Sequence, residues 1–266
     1  MVEQSKYKFI YGPVSSWRLG KSLGIDPISS TQKTCTFNCV YCQVGLTESF
    51  PTEREIFVST EELMNEIRSL SEMDLDYITF AGNGEPTLAK NLGEMIRAVK
   101  IFRKEKVAVI TNASLIDRPD VQEDLLLADL VEAKLDAYSG DSLQKVSRPA
   151  PEILWENIVI GLKSFRQAYR GRLVLQIMFV GLNRAHAAEM AKLACEINPD
   201  EIEINTPLRV SLVRPLLAGD LEGITKIFRD ICGTRIKVRS IYEEKREKST
   251  PMSEGDTQRR RGTENF

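Results

Sequence analysis

Hydrophobic and polar positions alternate in two registers along this chain. Short β-rich runs with a period of two fall at 26–33, 76–81, 106–111, 130–136, 173–179, 201–205 and 236–240. Between them, apolar residues at helical spacing occupy 60–70, 92–103, 121–128, 152–169, 184–197 and 221–231. Ser59 or Thr60 followed by Glu61 and Glu62 marks one helix start, and Pro151-Glu152 marks another. Strict alternation of this kind predicts right-handed βαβ units and a mainly parallel sheet.

The strand faces choose between sheet and barrel. In 130–136, Val131, Ala133 and Leu135 share one face, while Glu132, Lys134 and Asp136 share the other. In 201–205, Ile202 and Ile204 oppose Glu201, Glu203 and Asn205. A strand buried between two helix layers reads as nearly continuous apolar residues. A closed eight-stranded barrel fills its interior with branched apolar side chains. One polar face per strand instead predicts a partial, open parallel barrel around a wet lumen, with an open doubly wound sheet as the alternative.

Composition adds bounds. The 266 residues are 42% hydrophobic and 28% charged, with a net charge of −2, as in an ordinary globular protein. No apolar run approaches membrane-spanning length and the first residues do not read as a signal peptide, so a cytoplasmic protein without membrane partners is expected. Residues 1–242 read as one α/β domain, and 243–266 as a charged tail, disordered or ordered by a partner, ending in Arg259-Arg260-Arg261. Of the five cysteines, Cys195 and Cys232 stand alone in apolar helical surroundings and read as buried small hydrophobes.

The other three form Cys35-Thr-Phe-Asn-Cys39-Val-Tyr-Cys42. Three crowded thiolates can take three corners of an iron–sulfur cube and leave one iron open, since full protein ligation of a [4Fe-4S] centre takes four. Zinc and a plain thiol group are the alternatives, although a structural zinc site takes four ligands, and the single histidine, His186, lies far along the chain. Six polar features fall at the C-terminal ends of consecutive strands, where parallel barrels place active sites. They are the cysteine loop, Gly82–Glu85, Thr111-Asn112, Lys134 with Asp136, Gln176, and Asn205 to Arg209.

C-x₃-C-x₂-C with Tyr41 before its last cysteine resembles the signature of the radical S-adenosylmethionine (SAM) enzymes. Gly82-Asn83-Gly84-Glu85-Pro86 is similar to that family's glycine–glutamate motif. The leader from Gly12 to Pro27 resembles a subgroup of small radical SAM proteins, distantly similar to the catalytic domain of the wybutosine-synthesis enzyme. That subgroup usually reads Pro-Ser-Arg-Arg where this chain has Ser15-Ser16-Trp17-Arg18. The resemblance spans residues 8–242 and implies a partial (β/α)6 barrel, a relative of the TIM barrel. It also implies a [4Fe-4S] cluster on Cys35, Cys39 and Cys42, and SAM chelating the open iron. The chemistry implied is reductive cleavage to a 5′-deoxyadenosyl radical that abstracts hydrogen from a substrate, as an oxidoreductase or transferase.

By the same resemblance, Asn83, Gly84 and Glu85 face the methionine ammonium and Tyr41 lies near adenine. Lys134 and Asp136 face the carboxylate and the ribose, with Asn112 and Gln176 as further contacts; direct pairing of Lys134 with Asp136 is the simpler reading of those two. An external flavodoxin- or ferredoxin-like electron donor is implied. The likeness to a tRNA-modifying enzyme raises RNA as a substrate, beside protein side chains and phosphorylated metabolites. Rivals from other classes are a non-catalytic iron–sulfur electron carrier and a zinc-stabilised RNA-binding module.

Arg209 and Arg214 follow the strand at 201–205, Lys237 and Arg239 share a strand face, and Arg18 and Lys21 lie in the leader. These cations predict a mouth for an anionic or strongly polar substrate. Their competing role is to pair with Glu201 and Glu203.

Overall fold

A computed structural model of the chain describes residues 7–48, 50–245 and 248–263. Eight strands form one sheet in chain order: β1 (Ile10–Ser16), β2 (Gly20–Ile25), β3 (Tyr77–Phe80), β4 (Lys106–Thr111), β5 (Leu130–Lys134), β6 (Arg172–Met178), β7 (Glu201–Asn205) and β8 (Lys237–Ser240). β1 pairs antiparallel with β2, and every later neighbouring pair is parallel. The sheet begins at β1 and ends at β8, so the barrel stays open. The helices are α1 (Thr60–Arg68), α2 (Leu92–Phe102), α3 (Pro119–Leu125), α4 (Gly140–Val146), α5 (Trp155–Ala168), α6 (Ala187–Ile197), α7 (Ala218–Cys232) and α8 (Glu254–Arg261). From β2 to α7 the chain runs through six βα units, the expected partial barrel.

The two faces of the sheet separate as the alternation predicts. Val131, Ala133, Ile202 and Ile204 join the main core with Leu63, Ile96, Phe165 and Phe228 of the surrounding helices. Parallel register lines up Lys134 with Gln176, Gln176 with Glu203, and Glu203 with Arg239, giving a polar layer across four strands. Below it, Leu19 packs with Ala108, Leu130 and Val174 and plugs the floor of the lumen. α1 is fixed by an N-cap: the Ser59 hydroxyl accepts the Glu62 N–H at 3.2 Å and donates to its carboxylate at 2.7 Å.

Three expectations need correction. The strand before the cysteine loop is β2, and residues 26–33 turn instead of extending. Asp26 Oδ1 accepts the N–H groups of Ile28 and Ser29, and Ser29 takes φ 45°, so the chain bends where Pro27 already interrupts a ladder. The leader is a β-hairpin, hidden because Gly12, Gly20 and Gly24 break its alternation. At Gly24 a side chain would collide with the Tyr11 ring.

The charged tail contains α8, whose Ser253 side chain accepts the Asp256 N–H as a cap. Its sequence, polar throughout and without a large apolar residue, concealed the one buried face, where Arg260 is 4% exposed. Cys195 and Cys232 form a disulfide between α6 and α7. A separation of 37 residues on two helices carries no pairing signal in the sequence.

Candidate active site

The turn at Asp26 delivers the chain to the cysteine loop, which is held from both sides. On one side Thr34 N–H donates to Asn83 O at 3.1 Å, and Glu85 N–H donates to Thr34 O at 3.1 Å. On the other side Val40 N–H donates to Val146 O at 2.9 Å, and Ala150 N–H donates to Thr36 O at 2.8 Å. The second anchor comes from α4 and the turn after it, an element with no strong periodicity in the sequence. The cysteine loop is therefore stitched into the rim by backbone bonds that side-chain motifs do not announce.

Glycine is required where the second loop meets the first. A Cβ on Gly84 would lie 1.8 Å from Thr34 O, and Gly82 combines φ +145° with a Cβ position 2.5 Å from Asp26 Cγ. Asn83 donates its amide to Ser30 O at 2.9 Å and its N–H to Asp26 Oδ2 at 3.2 Å. Glu85 is 1% exposed and accepts four bonds: Thr87 N–H at 3.1 Å, Thr87 Oγ1 at 2.7 Å, Thr111 Oγ1 at 2.6 Å and Asn112 N–H at 2.6 Å. Burial raises its carboxyl above the usual range, and these donors draw it back. Asn112 in turn donates to Thr36 Oγ1 at 2.8 Å and to Cys35 Sγ at 3.5 Å. Glu85 and Asn112 thus form a bridge between the two loops.

Cys35, Cys39 and Cys42 are free thiols. Burial pushes Cys35 up to about 11 and Cys39 up to about 12, and Cys42 adds to both shifts. Thiols in this state need a cation to become thiolates, so metal binding here releases protons. Cys39 and Cys42 line a recess of ≈ 470 Å³. Among the described residues, no three Cys, His, Asp or Glu side chains are gathered to hold a single metal ion. Thiolates of an iron–sulfur cube each bind a different iron and stand wider apart than ligands of one ion. Three free thiols on one loop, Cys35 buried and Cys39 and Cys42 half-buried at the recess, fit such a cluster, whereas a zinc site closes on four ligands.

Two further cavities open at this rim. One of ≈ 270 Å³ is lined by Tyr41, Cys42, Gly82, Gly84 and Lys134. The other, of ≈ 330 Å³, is lined by Gln176, Asn205, Arg18, Arg209 and Arg261. Between β5 and β6, Lys134 Nζ lies 2.8 Å from Gln176 Oε1, 3.3 Å from Asp136 Oδ2 and 5.0 Å from the Tyr41 ring centre. Asp136 also accepts the Tyr41 hydroxyl and, at 2.6 Å, the Met178 N–H. Tyr41 belongs to a small apolar cluster with Val40, Val146, Met178 and Val180.

Of the expected SAM-binding residues, Tyr41, Gly84 and Lys134 therefore border the cavity beside Cys42. Glu85, Asn112 and Asp136 bond to the loops and strands around it.

The model of the radical SAM superfamily matches residues 29–194, which take in the cysteine loop, the glycine loop and strands β3 to β6. The chain belongs to the radical SAM superfamily. This membership makes the protein an enzyme of SAM-cleaving radical chemistry in the general sense. It is 40% identical over 211 residues to a UPF0026 protein of Synechocystis, with 79% of each chain covered. TYW1 with a lysine-pyruvate adduct bound matches its fold with a TM-score of 0.62 at 19% identity, over 79% of this chain and 73% of that one. Streptococcus suis SuiB bound to S-adenosylmethionine matches with a TM-score of 0.61 at 14% identity, over 79% of this chain and 48% of that one.

In this radical SAM barrel the predicted cationic mouth divides. Arg209 donates to Gln43 Oε1 at 3.1 Å, joining the β7–α7 loop to the cysteine loop, and lines both cavities. Arg214 is exposed and lines neither, because the loop has turned outward by then. Lys237 and Arg239 pair with Glu201 at 3.3 and 3.2 Å, and Lys21 pairs with Asp74 at 2.6 Å. Arg18 reaches Glu132 inside the lumen while its side chain borders both cavities. His186 stacks on Tyr138 at 4.2 Å and sits beside Glu189, as a half-buried surface residue.

Sequence reasoning missed Arg260 and Arg261. Arg260 Nε bonds Asp26 Oδ2 at 3.0 Å, and both arginines line the ≈ 270 Å³ cavity. Only the triple-arginine run hinted at them.

No helix among the described residues is long and apolar enough to cross a membrane.

Proposed function

We propose that this protein binds a [4Fe-4S] cluster through Cys35, Cys39 and Cys42, and SAM in the adjoining ≈ 270 Å³ cavity. The observation that carries this reading is that Cys42 lines the same cavity as Gly82 and Gly84. When bound, the cluster supplies the electron for reductive cleavage of SAM, and a hydrogen atom of a polar substrate is the target. The chain's own residues bind, orient and exclude water. Gly82 and Gly84 let a ligand approach the backbone, and Lys134 offers a cation for the methionine carboxylate. Glu85 and Asp136 are positioning residues: Glu85 ties the glycine loop to β4, and Asp136 holds Tyr41 and β6. The apolar cluster around Tyr41 and Met178 shields one wall from water.

The disulfide counts against the electron-carrier rival. A carrier needs a fourth thiolate, and Cys195 and Cys232 are engaged with each other. The same count leaves no thiols for a second cluster, so the electron comes from an external flavodoxin- or ferredoxin-like donor. The test is electron paramagnetic resonance of anaerobically reconstituted, reduced protein. Adding SAM should change the cluster signal if the open iron takes it. An unchanged signal at saturating SAM contradicts the reading.

A further inference from the structure

Three side-chain amides meet at one cavity with their hydrogen-bond donors unspent. Gln176 stands on β6, Asn205 ends the neighbouring β7, and Gln43 follows Cys42 in the cysteine loop. All three line the ≈ 330 Å³ cavity. Each amide oxygen accepts one internal donor: Gln176 Oε1 from Lys134 Nζ at 2.8 Å, Asn205 Oδ1 from Thr206 N–H at 2.8 Å, and Gln43 Oε1 from Arg209 Nη1 at 3.1 Å. Among the described residues, none of the three amide nitrogens has a hydrogen-bond partner.

The partners fix which end of each amide is left for a ligand. An ammonium, a guanidinium and a backbone N–H donate and never accept, so each of them requires the amide oxygen. Turning any one of the amides over would set two donors against each other. Gln176 and Asn205 are only 4% and 7% exposed, yet neither nitrogen is walled in by protein, so both are reached from the cavity. Ser16 adds a fourth donor at the same wall. Its Oγ accepts the N–H groups of Arg18 at 3.2 Å and Leu19 at 3.1 Å, which leaves the hydroxyl hydrogen to give. No aspartate or glutamate lines the cavity.

SAM does not account for these donors. The residues assigned to it, Gly82, Gly84 and Lys134, line the ≈ 270 Å³ cavity and not the second one, whereas Gln176 and Asn205 line the second and not the first. The two cavities share Ser16, Gln43, Ile110 and Met178 as a common wall, so a molecule held by the amides lies beside the SAM cavity. A ligand that displaces water from buried donors must replace it as an acceptor. Charge makes no further demand, because the arginines that line the cavity all have partners within the protein. Neutral donors of this kind match neutral acceptors.

We infer that the ≈ 330 Å³ cavity binds uncharged carbonyl groups of a small-molecule substrate, their oxygens received by the amide nitrogens of Gln43, Gln176 and Asn205. Ile110, Met178, Leu208 and Ile241 supply apolar surface for the body that carries the carbonyls. Amines fit poorly, since their hydrogens meet no carboxylate in this lining. The volume suits a small molecule and not a folded macromolecule. That the bound molecule is the hydrogen donor rests on the radical SAM reading; that the cavity takes carbonyl oxygens does not.

The experiment is calorimetric titration of the anaerobically reconstituted full chain in excess SAM without reductant, at fixed ionic strength. The probe is N,N′-dimethyluracil, which carries two carbonyl oxygens and no N–H, with malonate in a second arm. Gln176→Glu and Asn205→Asp are compared with the wild type. Each keeps an oxygen for Lys134 Nζ or Thr206 N–H and exchanges the NH2 group for a second oxygen, so a donor becomes an acceptor with little change of shape. Gln43→Glu makes the same exchange on a half-buried side chain, and is read where a buried variant loses wild-type circular dichroism. The expected result is that N,N′-dimethyluracil binds, and binds about tenfold or more weakly in each folded variant. Failure of N,N′-dimethyluracil to bind, tighter binding of malonate, or equal binding to wild type and folded variants overturns the inference. Iron content and the SAM-dependent resonance signal are read on reduced portions of the same samples. Their absence from the wild type, with probe binding intact and sensitive to the variants, overturns the radical SAM reading alone.

Discussion

Asp26 and Arg260 stand 234 residues apart in the chain and form a buried ion pair, Nε to Oδ2 at 3.0 Å, with side chains 1% and 2% exposed. The same Asp26 oxygen accepts the Asn83 N–H, and the other accepts Ile28 and Ser29. One carboxylate thereby ties the turn into the cysteine loop, the glycine loop and the C-terminal helix. Removing one partner of a buried pair leaves an uncompensated charge, at a cost of about 3–5 kcal/mol. Arg260→Ala should lower stability by that order in urea denaturation. In a double-mutant cycle with Asp26→Asn, the two losses should fall well short of additive. Additive losses would show that α8 docks independently of the turn.

The disulfide gives a second expectation. Cys195 and Cys232 close a loop across α6 and α7 with a sequence separation of 37. Cross-links of this kind stabilise by about 2–4 kcal/mol, in part by restricting the unfolded chain. Cys195→Ala and Cys232→Ala should each lower the urea midpoint by a similar amount while leaving iron content unchanged. Iron lost in either variant would make that cysteine a ligand.

Glu203 predicts a pH dependence. Its buried carboxyl is pushed up to about 7, mainly by desolvation and further by Glu201, against the opposing charges of Arg18, Arg239 and Arg172. The folded state therefore holds a proton that the unfolded state releases from about pH 4.5. Between that value and about 7 its contribution to stability falls as pH rises, and above that window it stays flat. Relative to Glu203→Gln, the wild type should lose stability from pH 5 to pH 8. Parallel pH profiles for the two proteins would remove the desolvated carboxylate from the account.

The glycine loop is tested by Gly84→Ala against Gly223→Ala. The first Cβ would meet Thr34 O at 1.8 Å, while the second has nothing within 4 Å. Gly84→Ala should separate the glycine loop from the cysteine loop and weaken SAM binding by at least tenfold, with iron retained. Gly223→Ala, inside α7, should bind SAM normally and gain stability, because alanine is favoured over glycine in a helix by about 1 kcal/mol. Equal SAM affinity in both variants would contradict the role given to the close approach.

The barrel was legible because its signals are local and periodic. Val131 and Ala133 against Glu132 and Lys134 declare which face is outside, and the register of β5 to β8 then assembles the polar layer without further information. The cysteine and glycine loops were legible because their chemistry is carried by adjacent residues. Illegible features depend on long-range pairing. Asp26 with Arg260, Cys195 with Cys232, and Val40 with Val146 are each made by residues whose own neighbourhoods reveal nothing of the partner. Glu85 shows the same limit within a motif. Its identity was readable, but its four donors come from Thr87, Thr111 and Asn112, so its role as a bridge emerged only from the fold.

The central claim is that Cys35, Cys39 and Cys42 hold a cluster that cleaves SAM in the adjoining cavity. The most direct measurement is formation of 5′-deoxyadenosine by reconstituted protein given dithionite and SAM without oxygen, followed by liquid chromatography and mass spectrometry. The wild type should form it, and alanine at any one of the three cysteines should abolish it together with the cluster absorbance. Fully loaded, reduced wild-type protein that binds SAM and forms no 5′-deoxyadenosine would contradict the account.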